Sequence, residues 1–488
     1  MSKANLSENR LPSLSSLKSV HVIGVCGTLM GAFAAYLKRC GIRVTGSDQN
    51  VYPPMSDVLR EAGVELLQGF RAENLQSLGY QPDLVVVGNV IRSDNPEARA
   101  AIDGGHVYSS LPAAMEKLFL TQTRNLVAAG THGKTTTSSL LAHTLVQCGK
   151  DPSYFIGGVS HDLPFSFQIS SLDAGQPFVL EGDEYDTAFW DKVPKFNHYL
   201  PDDVILTSIE YDHADIYPNV AAVVRAFEGL VSRVRAGGRM IACLDYPFVK
   251  EVTSRSHVPV ITYGRAPKSG ARYIPGKVRV EGGLTRFEVM DSEKSVGEIT
   301  LQMPGMHNVM NALAVWIECR ELGLDPTKVS QALASFQGVK RRQEVRGEVG
   351  GVIVMDDFAH HPTAVRETLQ ALRLKYPHRR LVTVFEPRSA TSRRKVFQQE
   401  YRVAFQESDV IFISKPYDQT RISSDDQFSS ETLVDDLNQI GKKAFVMSSV
   451  EEGVVEVAKQ AQSGDLIAVL SNGGFGGFIS KLLQALPG

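Results

Sequence analysis

The chain has 488 residues, and at about 150 residues per domain the expectation is three domains rather than one core. With 43% hydrophobic and 22% charged residues it has the composition of a soluble globular protein. A net charge of −3, with both signs spread along the chain, argues against nucleic acid or a membrane surface as a partner. No apolar run approaches the ~20 residues of a membrane span, and residues 1–18 hold no apolar stretch for a signal peptide. The five cysteines (Cys26, Cys40, Cys148, Cys243 and Cys319) are scattered and form no C-x-x-C pair. We therefore expect a cytoplasmic protein with free thiols, without a disulfide framework, a zinc site or membrane insertion.

The first segment opens with an apolar strand, residues 20–23, that runs into glycines at 24, 27 and 31 and then a helix to about residue 39. A second strand, 42–46, has Asp48 just past its end. Glycines followed by an acidic residue about 20 positions on resemble a dinucleotide turn, but the spacing G-x-x-G-x-x-x-G is not the nicotinamide pattern. On these residues alone a packing role for the glycines is equally open. A third strand, 83–87, ends at Gly88-Asn89. Ligands of open α/β sheets sit beyond such carboxyl ends, so Gly88 and Asn89 are pocket candidates. A helix over 112–120 closes the segment.

The second segment begins with a strand, 125–129, then Gly130-Thr131-His132-Gly133-Lys134-Thr135-Thr136, then a helix. A glycine loop between strand and helix turns backbone N–H groups toward one point, where the helix N-terminus adds partial positive charge. Lys134 supplies a full charge for terminal phosphates, and the Thr135 hydroxyl is placed to ligate Mg²⁺. The loop is one residue shorter than the general phosphate-binding pattern. Strands at 178–181, 203–208, 240–244 and 258–263 alternate with helical patterns and predict a parallel doubly wound sheet. Residues 271–303 switch to short alternating runs, a small antiparallel appendage. Helices over 304–322 and 326–336 follow. The third segment repeats the α/β alternation, with strands at 351–355, 381–385, 410–413, 443–446 and 466–470.

Several polar clusters fall at strand ends. Glu181-Gly182-Asp183-Glu184 follows an apolar strand. Taken alone it is an acidic loop; next to a phosphate site it is a candidate to hold Mg²⁺. Glu210-Tyr211-Asp212-His213 follows the next strand, where His213 is a candidate for a second cation or for the phosphates. His307, Asn308 and Asn311 share one helical face and either read an adenine edge or cap the helix. Asp356-Asp357 with His360-His361-Pro362 is either functional or a loop leading into a helix with Pro at its start. Arg388 follows the strand at 381–385, and Lys340-Arg341-Arg342 marks a charged junction.

In this order the motifs resemble the Mur ligase family, the ATP-dependent amide-forming enzymes of bacterial cell-wall assembly. The resemblance covers nearly the whole chain after about residue 20. It rests on Gly-Thr-His-Gly-Lys-Thr-Thr at 130–136, Glu-Gly-Asp-Glu at 181–184, Asp-His-Ala-Asp at 212–215, His-Asn-x-x-Asn at 307–311 and Asp-Asp-Phe-Ala-His-His-Pro-Thr at 356–363. The shorter loop is the form this family uses. Gly182, where alanine is usual, and Ser208, where asparagine is common, depart from its pattern. The stretches at 46–56, 183–192, 195–199 and 338–347 are similar to the branch that joins UDP-N-acetylmuramate to the preformed murein tripeptide L-alanyl-γ-D-glutamyl-meso-diaminopimelate.

The resemblance implies three α/β domains: a Rossmann-like UDP-binding domain over 1–120, a central P-loop parallel-sheet domain over 121–338, and a Rossmann-like acceptor-binding domain over 339–488. It implies ATP as co-substrate and Mg²⁺ held by Thr135, Glu181 and His213, with an acyl phosphate formed on the muramyl carboxylate. The loop 130–136, with His307, Asn308, Asn311 and Arg342, is expected to hold ATP; Gly24, Gly27, Thr28, Asp48, Gly88 and Asn89 to hold the UDP substrate. Lys134, Glu181, His213, Asp357 and His361 are the catalytic candidates, and Arg388 the acceptor-side one. The third domain is expected to close over the site, and the chain to be a monomer or weak homodimer. The alternatives are the branch that adds free L-alanine, and a nucleotide-switched binding protein that makes no bond.

Overall fold

Each apolar alternation in the sequence builds its own sheet. The computed structural model describes residues 10–51 and 55–487, which pack as two bodies. The first comprises the chain up to Glu210, Ala221–Tyr273 and Leu313–Ala332; the second comprises Tyr211–Val220, Ile274–Ala312 and the chain from Leu333 onward.

The first body holds two sheets. One is all parallel, with strands β1 (Ser19–Ile23), β2 (Arg43–Asp48), β3 (Glu65–Gln68), β4 (Leu84–Val87) and β5 (Tyr108–Ser110) in the order β3-β2-β1-β4-β5. Strands β1 and β4 are buried along their whole length, as a parallel sheet covered on both faces requires. The strand order reverses between them, so Gly24–Thr28 after β1 and Gly88-Asn89 after β4 both lie at the switch point, where such sheets bind ligands. Asp48 is the last residue of β2, paired with Gln68, rather than a residue beyond the strand.

The other sheet runs β12-β11-β10-β6-β9-β7-β8, from β6 (Arg124–Ala129), β7 (Ser153–Phe155), β8 (Phe167–Gln168), β9 (Pro177–Gly182), β10 (Asp203–Leu206), β11 (Arg239–Cys243) and β12 (Val260–Tyr263). Only β8 is antiparallel to its neighbour. At the edge, Tyr273 of β13 (Tyr273–Pro275) pairs with Tyr263. Strand β10 is shorter than the expected 203–208; beyond it Thr207 and Ser208 still bond the backbone of Ala129 and Thr131, and their hydroxyls hold the neighbouring loop.

The second body carries the expected antiparallel appendage, β14 (Arg279–Glu281), β15 (Leu284–Asp291) and β16 (Lys294–Leu301), with a bulge at Val289/Met290. It also carries a sheet of order β17-β18-β22-β19-β20-β21, built from β17 (Glu344–Val349), β18 (Val352–Asp357), β19 (Arg380–Phe385), β20 (Val410–Ser414), β21 (Lys443–Met447) and β22 (Asp465–Leu470). An apolar core covers each face of that sheet. The sequence reading did not place β3, β5, β7, β8 or β17, which have two to six residues and include half-exposed edges. Edge strands such as β17, Glu-Val-Arg-Gly-Glu-Val, carry charge and lack an apolar signal. The cysteines are free, and no helix among the described residues is long and apolar enough to cross a membrane.

At the edge of the central sheet where β6, β10 and β11 begin lies a charge cluster around the buried Asp203. Arg124 grips Asp203 with two hydrogen bonds of 2.9 and 3.0 Å, and Arg239 approaches the same carboxylate at 3.4 Å. Glu318 is fully buried beside it. Burial, and then the Asp203 carboxylate, push the Glu318 carboxyl well above its ordinary range. A raised carboxyl pKa contributes stability that is complete below the unfolded value and lost as pH rises through the folded one. Glu318→Gln should therefore melt higher than the parent at pH 8, by an amount on the order of 1–2 kcal/mol, and the difference should shrink toward pH 5; thermal denaturation across that range measures it.

Candidate functional site

The glycine loop after β6 is shaped by the chain that follows β10. Gly130 has φ +135°, and a Cβ there would stand 2.2 Å from Thr207 Oγ1 and 2.8 Å from the Ser208 backbone, so glycine is required. The Thr207 hydroxyl donates to the His132 carbonyl at 2.5 Å, and the Ser208 hydroxyl accepts the His132 N–H at 2.9 Å. Thr131 exchanges hydrogen bonds with Glu210, and His132 Nε2 lies 2.7 Å from the Glu210 carboxylate. Gly133, at φ +81°, then starts the helix Lys134–Gln147, in which Thr135 and Thr136 occupy the first turn. Ser208 thus fills a loop-bracing role that the sequence reading registered only as a departure from the family pattern.

Lys134 folds back over its own loop. Its ammonium donates to the Gly130 carbonyl at 2.8 Å and the Thr131 carbonyl at 3.3 Å, and pairs with Glu184 at 2.8 Å. Burial disfavours this charge, but Glu184, Asp183 and Glu181 outweigh it and raise the lysine pKa. Glu181, at the end of β9, takes the Thr135 hydroxyl at 2.7 Å and the Gly157 N–H at 2.6 Å. Burial nevertheless raises its carboxyl. Two hard oxygen donors, Glu181 and Thr135, therefore meet beside a phosphate-type loop, a donor set that suits Mg²⁺. Asp183 pairs with Lys195 at 2.5 Å, and the buried Tyr199 hydroxyl has no partner among the described residues. Sequence reasoning missed Gly157, for which the Gly-Gly step at 157–158 was the available signal, and took Lys195 and Tyr199 only as part of the stretch 195–199 that resembles the tripeptide-joining branch, without a role at the acidic cluster.

In the first sheet, Gly24 (φ +86°) and Val25 donate their N–H groups to the Ser47 carbonyl, while Asp48 accepts from the Cys26 N–H at 2.9 Å. Asp48 therefore braces the glycine turn as well as standing beside it. Glycines 31 and 46 serve packing, since a Cβ would meet Met55 Sδ at 2.5 Å and Val25 at 2.7 Å respectively. Gly27 caps the helix Thr28–Arg39, and Thr28 and Asn89 are exposed. Below the turn, Glu97 accepts from Ser47 at 2.7 Å and lies 2.8 Å from His21, whose other nitrogen meets Thr45 at 2.8 Å; all four side chains are buried. Of the signature stretch 46–56, residues 52–54 lie outside the described residues.

The second body groups its own candidates. Asn308 donates to the Pro304 carbonyl at 2.8 Å and serves the helix start, whereas the Asn311 amide nitrogen is buried without a partner among the described residues. His307 Nε2 lies 3.2 Å from the Gln343 amide. Asp357 accepts backbone N–H groups from Gln343 and Ala359, each at 2.8 Å. His361 caps the helix Pro362–Lys375 and contacts the Tyr211 carbonyl at 3.2 Å. Arg342 lies over Phe358 at 4.6 Å; Arg388 lies over Tyr417 at 3.8 Å, beside Glu386. His213, at φ +56°, follows Asp212, which accepts from Thr391 at 2.6 Å. Asp212 resists the effect of burial because His213, His360 and His361 surround it, and its carboxyl is held well below the ordinary range.

Three family models match the chain: "Mur ligase family, catalytic domain" over residues 19–123, "Mur ligase middle domain" over 128–318, and "Mur ligase, glutamate ligase domain" over 341–473. The chain is 37% identical over 469 residues to the UDP-N-acetylmuramate–L-alanyl-gamma-D-glutamyl-meso-2,6-diaminoheptandioate ligase of Escherichia coli, covering 96% of this chain and 98% of that one. The chain belongs to the Mur ligase family. A crystallographic murein peptide ligase from Psychrobacter arcticus superposes with TM-score 0.71 at 31% identity, over 96% of this chain and 98% of the other. The UDP-N-acetylmuramate–L-alanine ligase of Salinibacter ruber is 35% identical over 83% of this chain and 82% of its own. Against the Mur ligase pattern, Gly182 has a local cause: a Cβ there would stand 2.8 Å from Val127 and 2.9 Å from Ala129.

Because Gly130 leaves no room for a side chain, Gly130→Ala should lower stability by at least ~2 kcal/mol. It should also abolish nucleotide binding at temperatures where the variant remains folded. Denaturant melts and calorimetric titration with ADP report the two effects separately.

Proposed function

We propose that this Mur ligase joins the carboxylate of UDP-N-acetylmuramate to the tripeptide L-alanyl-γ-D-glutamyl-meso-diaminopimelate, with ATP converted to ADP and phosphate. The observation that carries the chemistry is Lys134, an ammonium held over the phosphate loop by two carbonyls and Glu184, with Glu181 and Thr135 beside it. In this reading ATP phosphorylates the donor carboxylate, the peptide amine attacks the acyl phosphate, and phosphate leaves. Anionic groups must approach one another in the first step, and preorganised positive charge is what lowers that barrier. Mg²⁺, held by Thr135 and Glu181, would supply further neutralisation of the phosphate oxygens.

The remaining assignments belong to the same proposal. Gly24, Gly27, Thr28, Asp48, Gly88 and Asn89 bind the UDP portion at the switch point of the first sheet. His213, His307, Asn308, Asn311 and Arg342 serve ATP and its metal, Asp357 and His361 join Lys134, Glu181 and His213 as catalytic residues, and Arg388 serves the acceptor. The domains are residues 1–120, 121–338 and 339–488. We assign the enzyme to the cytoplasm, where its nucleotide substrates are made, and expect a monomer or weak homodimer.

Support for the tripeptide comes from the Escherichia coli relative, matched over nearly the full length of both chains, and from the stretches 183–192 and 195–199. Lys134→Ala should reduce donor-dependent ADP release by about 10²–10³-fold in a chain that still folds but melts lower, because Glu184 loses its partner; normal turnover would remove Lys134 from the mechanism. Acceptor choice is read by offering tripeptide and free L-alanine to the same enzyme and donor. Tripeptide should give the higher kcat/KM, and preference for free alanine would place the chain in the other branch.

A further inference from the structure

The stretch 183–199 is a braced hairpin that joins the two sheets of the first body. It leaves β9 at the acidic cluster, where Glu184 holds Lys134. Its arms are tied by an antiparallel bridge between Asp186 and Pro194, by Thr187 N–H to the Val193 carbonyl at 2.9 Å, and by Lys195 N–H to the Tyr185 carbonyl at 3.0 Å. The tip turns on reciprocal backbone bonds between Ala188 and Asp191. There Phe189 and Trp190 pack on the apolar cluster of the first sheet that includes Ile23, Ile91 and Tyr108, with Trp190 edge-on to Tyr108 at 5.2 Å. Ile23 immediately precedes Gly24, and Ile91 lies two residues beyond Asn89, so the cluster on which the tip packs includes the roots of both donor-side turns.

On the returning arm, His198 stands between two carboxylates. Its Nε2 lies 2.8 Å from Asp191 of the hairpin, and its Nδ1 lies 2.8 Å from Glu116 of the helix Leu111–Phe119, which follows β5. With an acceptor on each nitrogen, the ring satisfies both only as the doubly protonated imidazolium. Burial works against that charge, but Asp191 and Glu116 prevail and raise the pKa to about 9. The ring therefore links the hairpin to the first sheet's helix by two charge-assisted hydrogen bonds, while the hairpin's base holds the lysine of the glycine loop.

We propose that the hairpin is a strut fixing the reach between the donor turn and the glycine loop, and that His198 is the positioning residue that locks it through Glu116 and Asp191. This rests on the ligase reading for what is positioned, a donor carboxylate against the terminal phosphate of ATP. A misplacement of about 1 Å at such a junction costs on the order of 10²-fold in rate. It also lets water reach the acyl phosphate.

The test uses the full-length enzyme with His198→Gln, His198→Arg, Asp191→Asn and Glu116→Gln. ADP release and amide formation are followed together, alongside hydrogen exchange of the hairpin amides. His198→Gln should lower kcat at least tenfold, raise the ratio of ADP to amide from one to several, leave the KM for ATP within about twofold, and speed exchange over 187–195 at least tenfold. Asp191→Asn and Glu116→Gln should move both readouts the same way, and His198→Arg, which keeps a two-sided cation, should recover most of the coupling. If the neutral variants keep one amide per ADP and parental exchange, the inference fails while the ligase reading stands. If ADP and amide fall in parallel with the ratio still one, His198 is structural only. If the parent enzyme makes no amide, the ligase reading fails, and parental or accelerated hairpin exchange in His198→Gln then overturns or upholds the lock by itself.

Discussion

A buried ammonium needs acceptors on every side, and Lys134 dictates much of the architecture around it. Its side chain is only 14% exposed, so its charge relies on the Gly130 and Thr131 carbonyls and the Glu184 carboxylate that surround it. Removing one partner of such a buried pair leaves the other uncompensated, at a cost of about 3–5 kcal/mol. The two carbonyls point inward because Gly130 adopts φ +135° against Thr207 and Ser208. Glu184 is present because the hairpin begins at the end of β9. Loop, neighbouring strand and hairpin therefore form one electrostatic unit assembled from three separate parts of the chain.

The same unit shows what a sequence discloses. The glycine loop, the acidic cluster and the strand ends were legible because each is local: a motif of seven residues, three carboxylates within four residues after an apolar run, an alternation of strand and helix. The structure places them where the doubly wound pattern requires, including Gly24 and Gly88 at the switch point of the first sheet. Ser208 bonding His132, Gly157 bonding Glu181 and Glu116 meeting His198 were not legible, because the partners lie 76, 24 and 82 positions apart. Short edge strands were missed for another reason: two to six residues with alternating or charged side chains give no apolar run to detect.

Polar residues at strand ends also proved to have more than one duty. Asp357 and His361 are engaged in bracing a turn and capping a helix, so the local reading of that motif is structurally sound. The two alternatives for the 307–311 cluster are divided between residues. Asn308 serves the helix start, and Asn311 keeps a buried amide with its donors unspent among the described residues. Asp212 is a third kind of case: three histidines around one carboxylate hold it ionised in spite of burial. A motif residue is thus better judged by which of its hydrogen-bonding groups remain unused than by its identity.

The buried quartet of His21, Thr45, Ser47 and Glu97 carries a consequence for folding fidelity. Strand β1 pairs with β2 through Ser19 opposite Arg43 to Ile23 opposite Ser47, and because the side-chain period is two, a slip of one residue moves a strand's whole set of side chains to the other face. A one-residue slip of β2 against β1 would turn Thr45 and Ser47 to the opposite face, taking one partner from His21 and the Ser47 hydroxyl from the buried Glu97 carboxylate. The polar network therefore acts as a register key for the first sheet, rejecting misaligned pairings that hydrophobic contacts alone would tolerate.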